Sequence, residues 1–323
     1  MKNFWQELKS PFFILAPMDD VTDDVFRQVV GSCAKPDVYF TEFTNVDGLN
    51  SKGKEKLMPR LQFEKSQHPI VAQIWGKKPE NYFKVAQMLK EMGFDGIDIN
   101  MGCPEKNVVR NGNCSGLIRE PERAREIILA TIEGAGGLPV SVKTRIGLDT
   151  IITEEWIGFL LGFDLAAITV HGRTAKEMSK VPAHWDEIAK AVQLRDKQQE
   201  TSNKRPVIIG NGDVLTYQDG LDKVKEFGVD GVMIGRGIFH NPFVFDPKGK
   251  KIQDLGIQDR LELLLRHARL FDKIWGDTKN FNILKKFFKI YVSDFDEASE
   301  LRVKLMETHN LADVEKIVSD FTR

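Results

Sequence analysis

One cysteine, Cys103, stands where the chain would hold a chemical group rigidly. It follows Gly96–Asn100, in which β-favouring apolar residues alternate with polar ones, a pattern that predicts a strand. Gly102 and Pro104 flank the cysteine and fix a turn, because glycine permits unusual backbone angles while proline restricts φ and lacks an N–H donor. A lone cysteine is more often a small buried thiol than a reactive group. Its role therefore depends on which other side chains reach the same place.

Polar and charged side chains also stand at the ends of other strands that the sequence predicts. They are Gln73, Asn100, Lys143, His171 and Asn211. Each of them alone is adequately explained as a hydrogen-bonded structural residue. Their recurrence at the same position relative to successive strands is harder to explain in that way. The pattern indicates a binding or catalytic rim, since the loops at the C-terminal ends of parallel barrel strands form the functional face.

Two glycine-containing strand ends are typical of phosphate binding. Gly210–Asp213 and Ile234–Gly237 follow the seventh and eighth predicted strands, where barrels commonly bind phosphate. Glycine lets backbone N–H groups approach phosphate oxygens closely, and Arg236 adds positive charge. We therefore expect a phosphorylated cofactor across this rim, with Gln73 and Lys143 bonding its head group.

Several classes of protein are disfavoured by what the sequence lacks. Its histidines show no HxH or HxxxH spacing, its three cysteines form no CxxC pair, and it has no GxxxxGK[ST] loop, so we expect neither a metal site nor nucleotide hydrolysis. Few, unpaired cysteines favour a reducing compartment, and we expect a cytoplasmic protein. No apolar run approaches the roughly 20 residues of a membrane span. We assume a monomer.

Val- and Ile-rich segments alternate with helical segments along residues 1–245. Continuous apolar strands between helices indicate a parallel sheet covered on its outer face. Eight such units match the α/β (β/α)8 TIM barrel in number and size. A doubly wound open sheet is the alternative, because periodicity cannot show closure. The predicted strands are Phe13–Ala16, Val38–Thr41, Ile70–Ile74, Gly96–Asn100, Pro139–Lys143, Ala167–Val170, Val207–Gly210 and Gly231–Ile234.

The character of the chain changes after residue 245. Residues 246–258 are polar with Gly and Pro and are typical of a linker. Residues 259–323 show apolar residues at helical spacing and predict a small C-terminal all-helical domain of three or four helices. The net charge of −1 means that any RNA binding must use a local patch. Four lysines cluster with aromatic residues on one predicted helix and could form such a patch. They are Lys279, Lys285, Lys286 and Lys289. The alternative is an amphipathic helix whose basic face is only solvated.

Taken together, these motifs resemble the tRNA-dihydrouridine synthases. The resemblance is ordered along the chain, spans the whole barrel and includes a C-terminal helical domain of suitable size. The segments that carry it are Leu15–Met18 with Thr22 and Asp23, Ile99–Val109, Ser141–Gly147, Val170–Thr174, Ile209–Val214 and Gly228–Pro242.

The resemblance implies an FMN-dependent enzyme that reduces the C5–C6 bond of particular uridines in tRNA, with NADPH as the reductant. Residues 1–245 would be the FMN-binding catalytic domain and residues 259–323 the RNA-binding domain. Hydride would pass from flavin N5 to uracil C6, and a general acid would protonate C5. Cys103 would be that acid, because a thiol with a pKa of about 8.5 is protonated at neutral pH.

The resemblance also assigns binding residues. Asn100 and Arg173 match positions near the substrate base, which should be flipped out of the folded tRNA. The basic residues Lys285, Lys286 and Lys289 would contact the RNA backbone. The cofactor-binding positions are Pro17, Met18, Gln73, Lys143, His171, Asn211, Gly212, Asp213, Gly235 and Arg236.

Two segments depart from the family pattern. Gly112–Gly116 replaces a small Gly/Ala-rich run and introduces Cys114, a possible second thiol whose removal we expect to affect the chemistry little. Ala175–Met178 replaces a sequence of Gln and aromatic residues. Two other functions stay open: a flavin-dependent reductase of a free pyrimidine or small enone, and a non-catalytic RNA-binding factor.

Overall fold

A computed structural model describes residues 3–199 and 205–322 of the chain. Within these residues one sheet contains nine parallel strands, each labelled here in chain order. The strands are β1 Phe12–Leu15, β2 Tyr39–Phe40, β3 Thr44–Asn45, β4 Ile70–Trp75, β5 Gly96–Met101, β6 Val140–Arg145, β7 Ala167–His171, β8 Val207–Asn211 and β9 Gly231–Ile234.

The sheet closes into a barrel. Its strand order is β1-β9-β8-β7-β6-β5-β4-β2, with the short β3 also paired to β4. A parallel bridge between Ile14 and Val38 joins the two ends, and the N–H of Leu15 donates to the carbonyl of Val38 at 3.2 Å. The predicted (β/α)8 barrel is therefore confirmed, and the doubly wound open sheet is excluded.

Helices surround the barrel and continue beyond it. Those between the strands are α1 Asp24–Cys33, α2 Val46–Leu49, α3 Lys54–Leu57, α4 Pro79–Glu91, α5 Lys106–Arg110, α6 Pro121–Ala135, α7 Thr153–Leu161, α8 Trp185–Gln199 and α9 Tyr217–Phe227. Those after β9 are α10 Ile257–Trp275, α11 Asn282–Lys285, α12 Phe288–Tyr291, α13 Ala298–Met306 and α14 Leu311–Phe321. Within the described residues, no helix combines the length and apolar character that crossing a bilayer requires.

The inside of the barrel is apolar at one end and polar at the other. Phe12, Ile14, Val71, Ile209 and Met233 belong to one buried cluster that fills the barrel near the strand starts. Alternate residues point outward to the helices, as side chains on a strand must. The polar residues of the same strands lie towards the C-terminal ends, so the chemistry is confined to the opposite rim.

The C-terminal helices pack on the first helix of the barrel. Phe26 of α1 lies 4.5 Å from Phe287 and 5.7 Å from His267, measured between ring centroids. The indole Nε1 of Trp275 donates to the buried carboxylate of Asp23 at 2.8 Å. The helix α10 begins at Ile257, two residues before the predicted start of the C-terminal helical domain. The residues that join the C-terminal helices to α1 belong to the main buried core.

The prediction that one helix carries four lysines is wrong. Bonds from residue i to i−3 tighten the chain there and break it into α11 and α12, so Lys285 ends one helix and Lys289 lies in the next. Lys279 precedes both and turns inward, where its Nζ lies 2.9 Å from Asp23 and 4.0 Å from the ring centre of Trp275. A buried carboxylate thus removes one lysine from the expected surface.

Close packing of α4 against α6 depends on Gly134, because a Cβ there would stand 2.2 Å from the carbonyl oxygen of Phe83. We expect Gly134→Ala to lower the free energy of unfolding by about 1–3 kcal/mol. Gly158 in α7 is the matched control: a Cβ there meets nothing within 4 Å, and alanine should gain about 0.5–1 kcal/mol. Urea unfolding of both variants measures this difference. Equal shifts in one direction would contradict the packing account.

Candidate active site

The backbone of Cys103 is held from both sides. The side-chain oxygen of Asn100, at the end of β5, accepts the N–H groups of Gly102 and Cys103, both at 3.0 Å. The hydroxyl of Ser115 donates to the carbonyl of Cys103 at 2.8 Å. Asn100 is itself fixed by Gln73, whose Oε1 accepts its Nδ2 at 3.0 Å. The thiol therefore stands on a rigid loop, as the sequence predicted.

A second thiol lies against the first. Cys114 is buried in the loop after α5 with a left-handed φ of 50°. Its S–H donates to Cys103, and this bond, with the N–H of Glu105 and the charge of Arg145, lowers the pKa of Cys103 to about 7 despite burial. Burial, and then the neighbouring Cys103, raise the pKa of Cys114. The small role expected of Cys114 from the sequence stays a prediction, and the effect of this thiol on the pKa of Cys103 makes that prediction testable.

Arg145 joins the cysteine loop to the loop after β7. Its Nε donates to the carbonyl of Gly102 at 2.7 Å, and its Nη1 donates to the carbonyls of Thr174 and Met178, both at 3.0 Å. Burial lowers the pKa of Arg145 to about 10, which leaves it charged at neutral pH. The candidate set omitted Arg145, although strand alternation places it on the same face as Lys143.

Buried polar side chains support the rim from below. The carboxylate of Asp98 accepts Nε2 of Gln73 at 2.7 Å and the hydroxyl of Ser141 at 2.6 Å. Burial raises the pKa of Asp98 to about 6, although these bonds and Lys143 oppose the shift. Asp98 was also missed, and its position two residues before Asn100 in β5 is the signal that could have found it. Gln73 is wholly buried within this network.

Lys143 faces the rim from β6. Its Nζ donates to the side-chain oxygen of Asn211 at 3.1 Å, and Nδ2 of Asn211 donates to the carbonyl of Met233 at 2.8 Å. Burial and the charge of Arg145 lower the pKa of Lys143 to about 8, while Asp98 opposes the shift. The amine therefore stays mostly protonated at neutral pH and can donate to an anionic or carbonyl ligand.

Each nitrogen of the Arg173 guanidinium contacts another group of the protein. Its Nε donates to the carbonyl of Val181 at 2.6 Å, Nη1 contacts Nε2 of His171 at 3.1 Å, and Nη2 pairs with Asp213. Burial and the surrounding cations lower the pKa of His171 well below its usual value, so this ring is neutral and accepts the bond from Arg173. These contacts fix the position of Arg173 in the cavity, and its predicted contact with a substrate base stays a prediction.

Asp213 anchors the loop after β8. Burial alone would raise its pKa, but the bond from Arg173, the N–H of Ala183 at 2.8 Å and the charge of Arg236 hold that pKa below its usual value. The preceding Gly212 has a φ of 130°, and a Cβ there would stand 2.7 Å from that of Ala183. Glycine is therefore required for this turn.

These side chains surround one cavity of about 580 Å3. Every predicted cofactor-binding residue except Gln73 lines it, and so does Arg173. Cys103 is not among the lining residues, but its chain neighbour Pro104 is. Four cationic side chains but one carboxylate line this cavity, and this excess of positive charge fits an anionic ligand. The cations are Lys143, Arg145, Arg173 and Arg236, and the carboxylate is Asp213. A Cβ on Gly235 would approach Ala16 and Met18 at 3.7 and 3.8 Å, so glycine keeps this wall open.

The remaining predicted binding lysines lie on the C-terminal helices. Nζ of Lys285 donates to the carbonyl of Met306 at 2.8 Å, and Nζ of Lys286 donates to the carbonyl of Asp20 at 2.7 Å. Lys289 is exposed. A carbonyl partner does not neutralise an ammonium charge, so all three still contribute positive potential.

Among the described residues, one acidic cluster has the ligand atoms to hold a metal ion. It comprises Asp19, Asp20 and Glu42, whose oxygens lie within 4.8 Å of one another. The guanidinium of Arg60 pairs with all three carboxylates. One cation thus already offsets part of the negative charge of the cluster, and the expectation of no metal site stays a prediction.

The sequence was compared with known families and curated proteins. A family model described as "Dihydrouridine synthase (Dus)" matches residues 14–323. The chain is 47% identical over 323 residues to a "Probable tRNA-dihydrouridine synthase" of Staphylococcus aureus (strain Mu50 / ATCC 700699), covering 99% of this chain and 96% of that protein. It is 46% identical over 325 residues to "Probable tRNA-dihydrouridine synthase 2" of Bacillus subtilis (strain 168), covering 100% and 97%.

Solved structures share the fold at low identity. A variant of NCR from Zymomonas mobilis aligns with a TM-score of 0.51 at 17% identity, covering 84% of this chain and 95% of that one. Morphinone reductase aligns with a TM-score of 0.52 at 14% identity, covering 75% and 87%. These two likenesses support the barrel alone. The family match and the curated relatives extend over nearly the whole chain, and the chain is an enzyme of the dihydrouridine synthase family.

Proposed function

We propose that this enzyme reduces uridines in tRNA to 5,6-dihydrouridine, using FMN and NADPH. The observation that carries the proposal is the clamped backbone of Cys103, one residue from Pro104 in the wall of a cavity lined by four cations. The names of the curated relatives support tRNA as the substrate. Reduced cysteines and a tRNA substrate favour the cytoplasm, and we retain a monomer as the simplest state.

The cavity residues fit FMN. Arg236 and the loops at Gly212 and Gly235 would hold its phosphate, with Asn211 and Asp213 near the ribityl chain. The side chains that would surround the ring system are Pro17, Met18, Lys143 and His171, with the wholly buried Gln73 behind them. When bound and reduced by NADPH, the flavin supplies a hydride for uracil C6. Lys143 contributes a buried positive charge at the ring, and the neutral His171 adds none.

Cys103 would supply the proton. Hydride addition at C6 leaves an electron pair at C5, which takes the proton from Sγ, and the resulting thiolate is reprotonated from solvent. Arg145 would oppose the negative charge that develops on the uracil carbonyl, since its Nη2 has no hydrogen bond within the described residues. Asn100 would act near the base by fixing the cysteine loop, and Arg173 by fixing His171.

The C-terminal helices would bind the RNA, with Lys285, Lys286 and Lys289 facing its backbone. Deleting residues 248–323 is not a clean test of this role. The deletion would expose Phe26 and remove the indole partner of buried Asp23. Point variants in the intact chain are therefore required.

Cys103→Ala separates proton donation from the other steps. We expect bound FMN and NADPH oxidation to persist while dihydrouridine formation falls by roughly 100-fold or more, the scale of general acid catalysis. Flavin absorbance, NADPH consumption and mass spectrometry of product nucleosides measure the three quantities. Full product formation by the variant would remove the general-acid assignment. A purified wild-type protein that does not bind FMN would overturn the cofactor assignment.

The two thiols predict a specific pH dependence. A general acid acts when protonated, so kcat/KM should fall as pH rises through the pKa of Cys103, about 7. Cys114→Ala removes the bond that contributes most to lowering this pKa, and the alkaline limb should move to higher pH. Cys114→Ser is the matched control, because its hydroxyl can still donate. Coincident profiles for all three proteins would show that Cys114 does not tune Cys103.

A further inference from the structure

A second cavity of about 380 Å3 adjoins the active-site cavity. Pro104 and Met178 line both, so the two spaces share a wall. The second space, here called the α5 groove, lies between α5, the loop after β6 and the loop after β7. Its charged lining residues are Lys106, Arg110, Arg119, Lys176 and Asp149.

The α5 groove carries uncompensated positive charge. Its carboxylate, Asp149, is paired with Arg119. Lys106, Arg110 and Lys176 are exposed, and none of their cationic groups has a hydrogen bond or ion pair within the described residues. Three free cations that line one cavity repel one another, and they would be stabilised by a polyanion.

The α5 groove and the C-terminal helices lie on opposite sides of the barrel. Those helices pack on α1, which follows β1. The groove is centred on the loop after β6, and the closed strand order places β6 on the side of the barrel opposite β1. A substrate held only by the C-terminal helices would therefore be unsupported on the far side of the cavity mouth.

The groove is rigidly connected to Cys103. The guanidinium of Arg145 bonds the carbonyl of Gly102 in the cysteine loop and the carbonyl of Met178 in the shared wall. Met178 has a left-handed φ of 54° and is 41% exposed, so its side chain projects at the border of the two cavities. A ligand in the groove is thus held in a fixed position relative to the thiol.

We propose that the α5 groove binds the phosphate backbone of the substrate RNA next to the target uridine, through Lys106, Arg110 and Lys176. This inference rests on the proposed function, since it assumes an RNA substrate. A basic groove that follows a single-stranded backbone beside a pocket for an extruded base has the chemistry that such recognition needs. The RNA would then be gripped on both sides of the cavity, by this groove and by the C-terminal helices.

The test compares two triple variants of the full chain loaded with FMN. K106A/R110A/K176A removes the groove cations. K84A/K197A/K225A is the control, because it removes the same number of exposed cations from the outer helices α4, α8 and α9. The probe is an unmodified tRNA transcript, whose dissociation constant is measured between about 50 and 200 mM salt.

We expect the groove variant to bind the transcript roughly 10- to 100-fold more weakly at 0.1 M salt. Its plot of log K against log salt should be shallower by about two, which corresponds to three lost phosphate contacts on a single strand. KM for the transcript should rise more than kcat falls. The control should behave as the unsubstituted protein in each measurement.

Other outcomes would overturn the inference. Unchanged affinity and salt dependence would show that the groove cations are merely solvated. A raised KM for NADPH, measured with oxygen as the acceptor and no RNA, would assign the groove to the dinucleotide if tRNA affinity were intact. The binding measurement needs no turnover, so an unsubstituted protein that binds tRNA but makes no dihydrouridine would refute the proposed function and leave the groove result standing.

Discussion

The guanidinium of Arg145 is the group on which the geometry of the rim depends. It lies on β6 and bonds the loop after β5 through Gly102 and the loop after β7 through Thr174 and Met178. Loops at the end of a barrel are otherwise the most mobile part of the fold. A planar donor fork can fix several carbonyls at once, which an ammonium group cannot do with the same geometry. The position of this guanidinium near Cys103 combines support of the loop with positive charge beside the thiol.

The balance of buried charge explains why the cavity should be filled in the working enzyme. Lys143, Arg145 and Arg173 lie close together, and within this group Asp213 pairs directly with Arg173. Asp98 lies deeper, where burial raises its pKa to about 6, and its carboxylate is engaged by Gln73 and Ser141. Buried cations without partners are costly, and the protein tolerates them where a ligand supplies the missing charge. An anionic cofactor at one end and an RNA backbone at the other would supply it.

Much of the fold could be predicted because a parallel barrel requires continuous apolar strands, and the strand Gly231–Ile234 was predicted to the residue. Closure could not be predicted, since it depends on one bridge between Ile14 and Val38. Most cofactor candidates do line one cavity. The clearest error concerns side-chain direction, since Lys279 turns inward to Asp23. Arg173 has protein partners that its motif does not reveal, and its role near the substrate base stays a prediction. Motif positions identify which loop a residue occupies, whereas its partners come from distant parts of the chain.

The lowered pKa of Cys103 connects the charges around the cavity with the protonation state of this thiol. The bond from Cys114 and, to a smaller degree, the charge of Arg145 lower the pKa of the free thiol to about 7, which leaves much of it deprotonated. Negative charge nearby acts in the opposite direction and favours the protonated form. Phosphates bound at Arg236 and in the α5 groove would bring such charge to both sides of the loop. The thiol would then be protonated most fully when the substrate is bound, and the cations that attract the RNA would also control when the acid is ready to act.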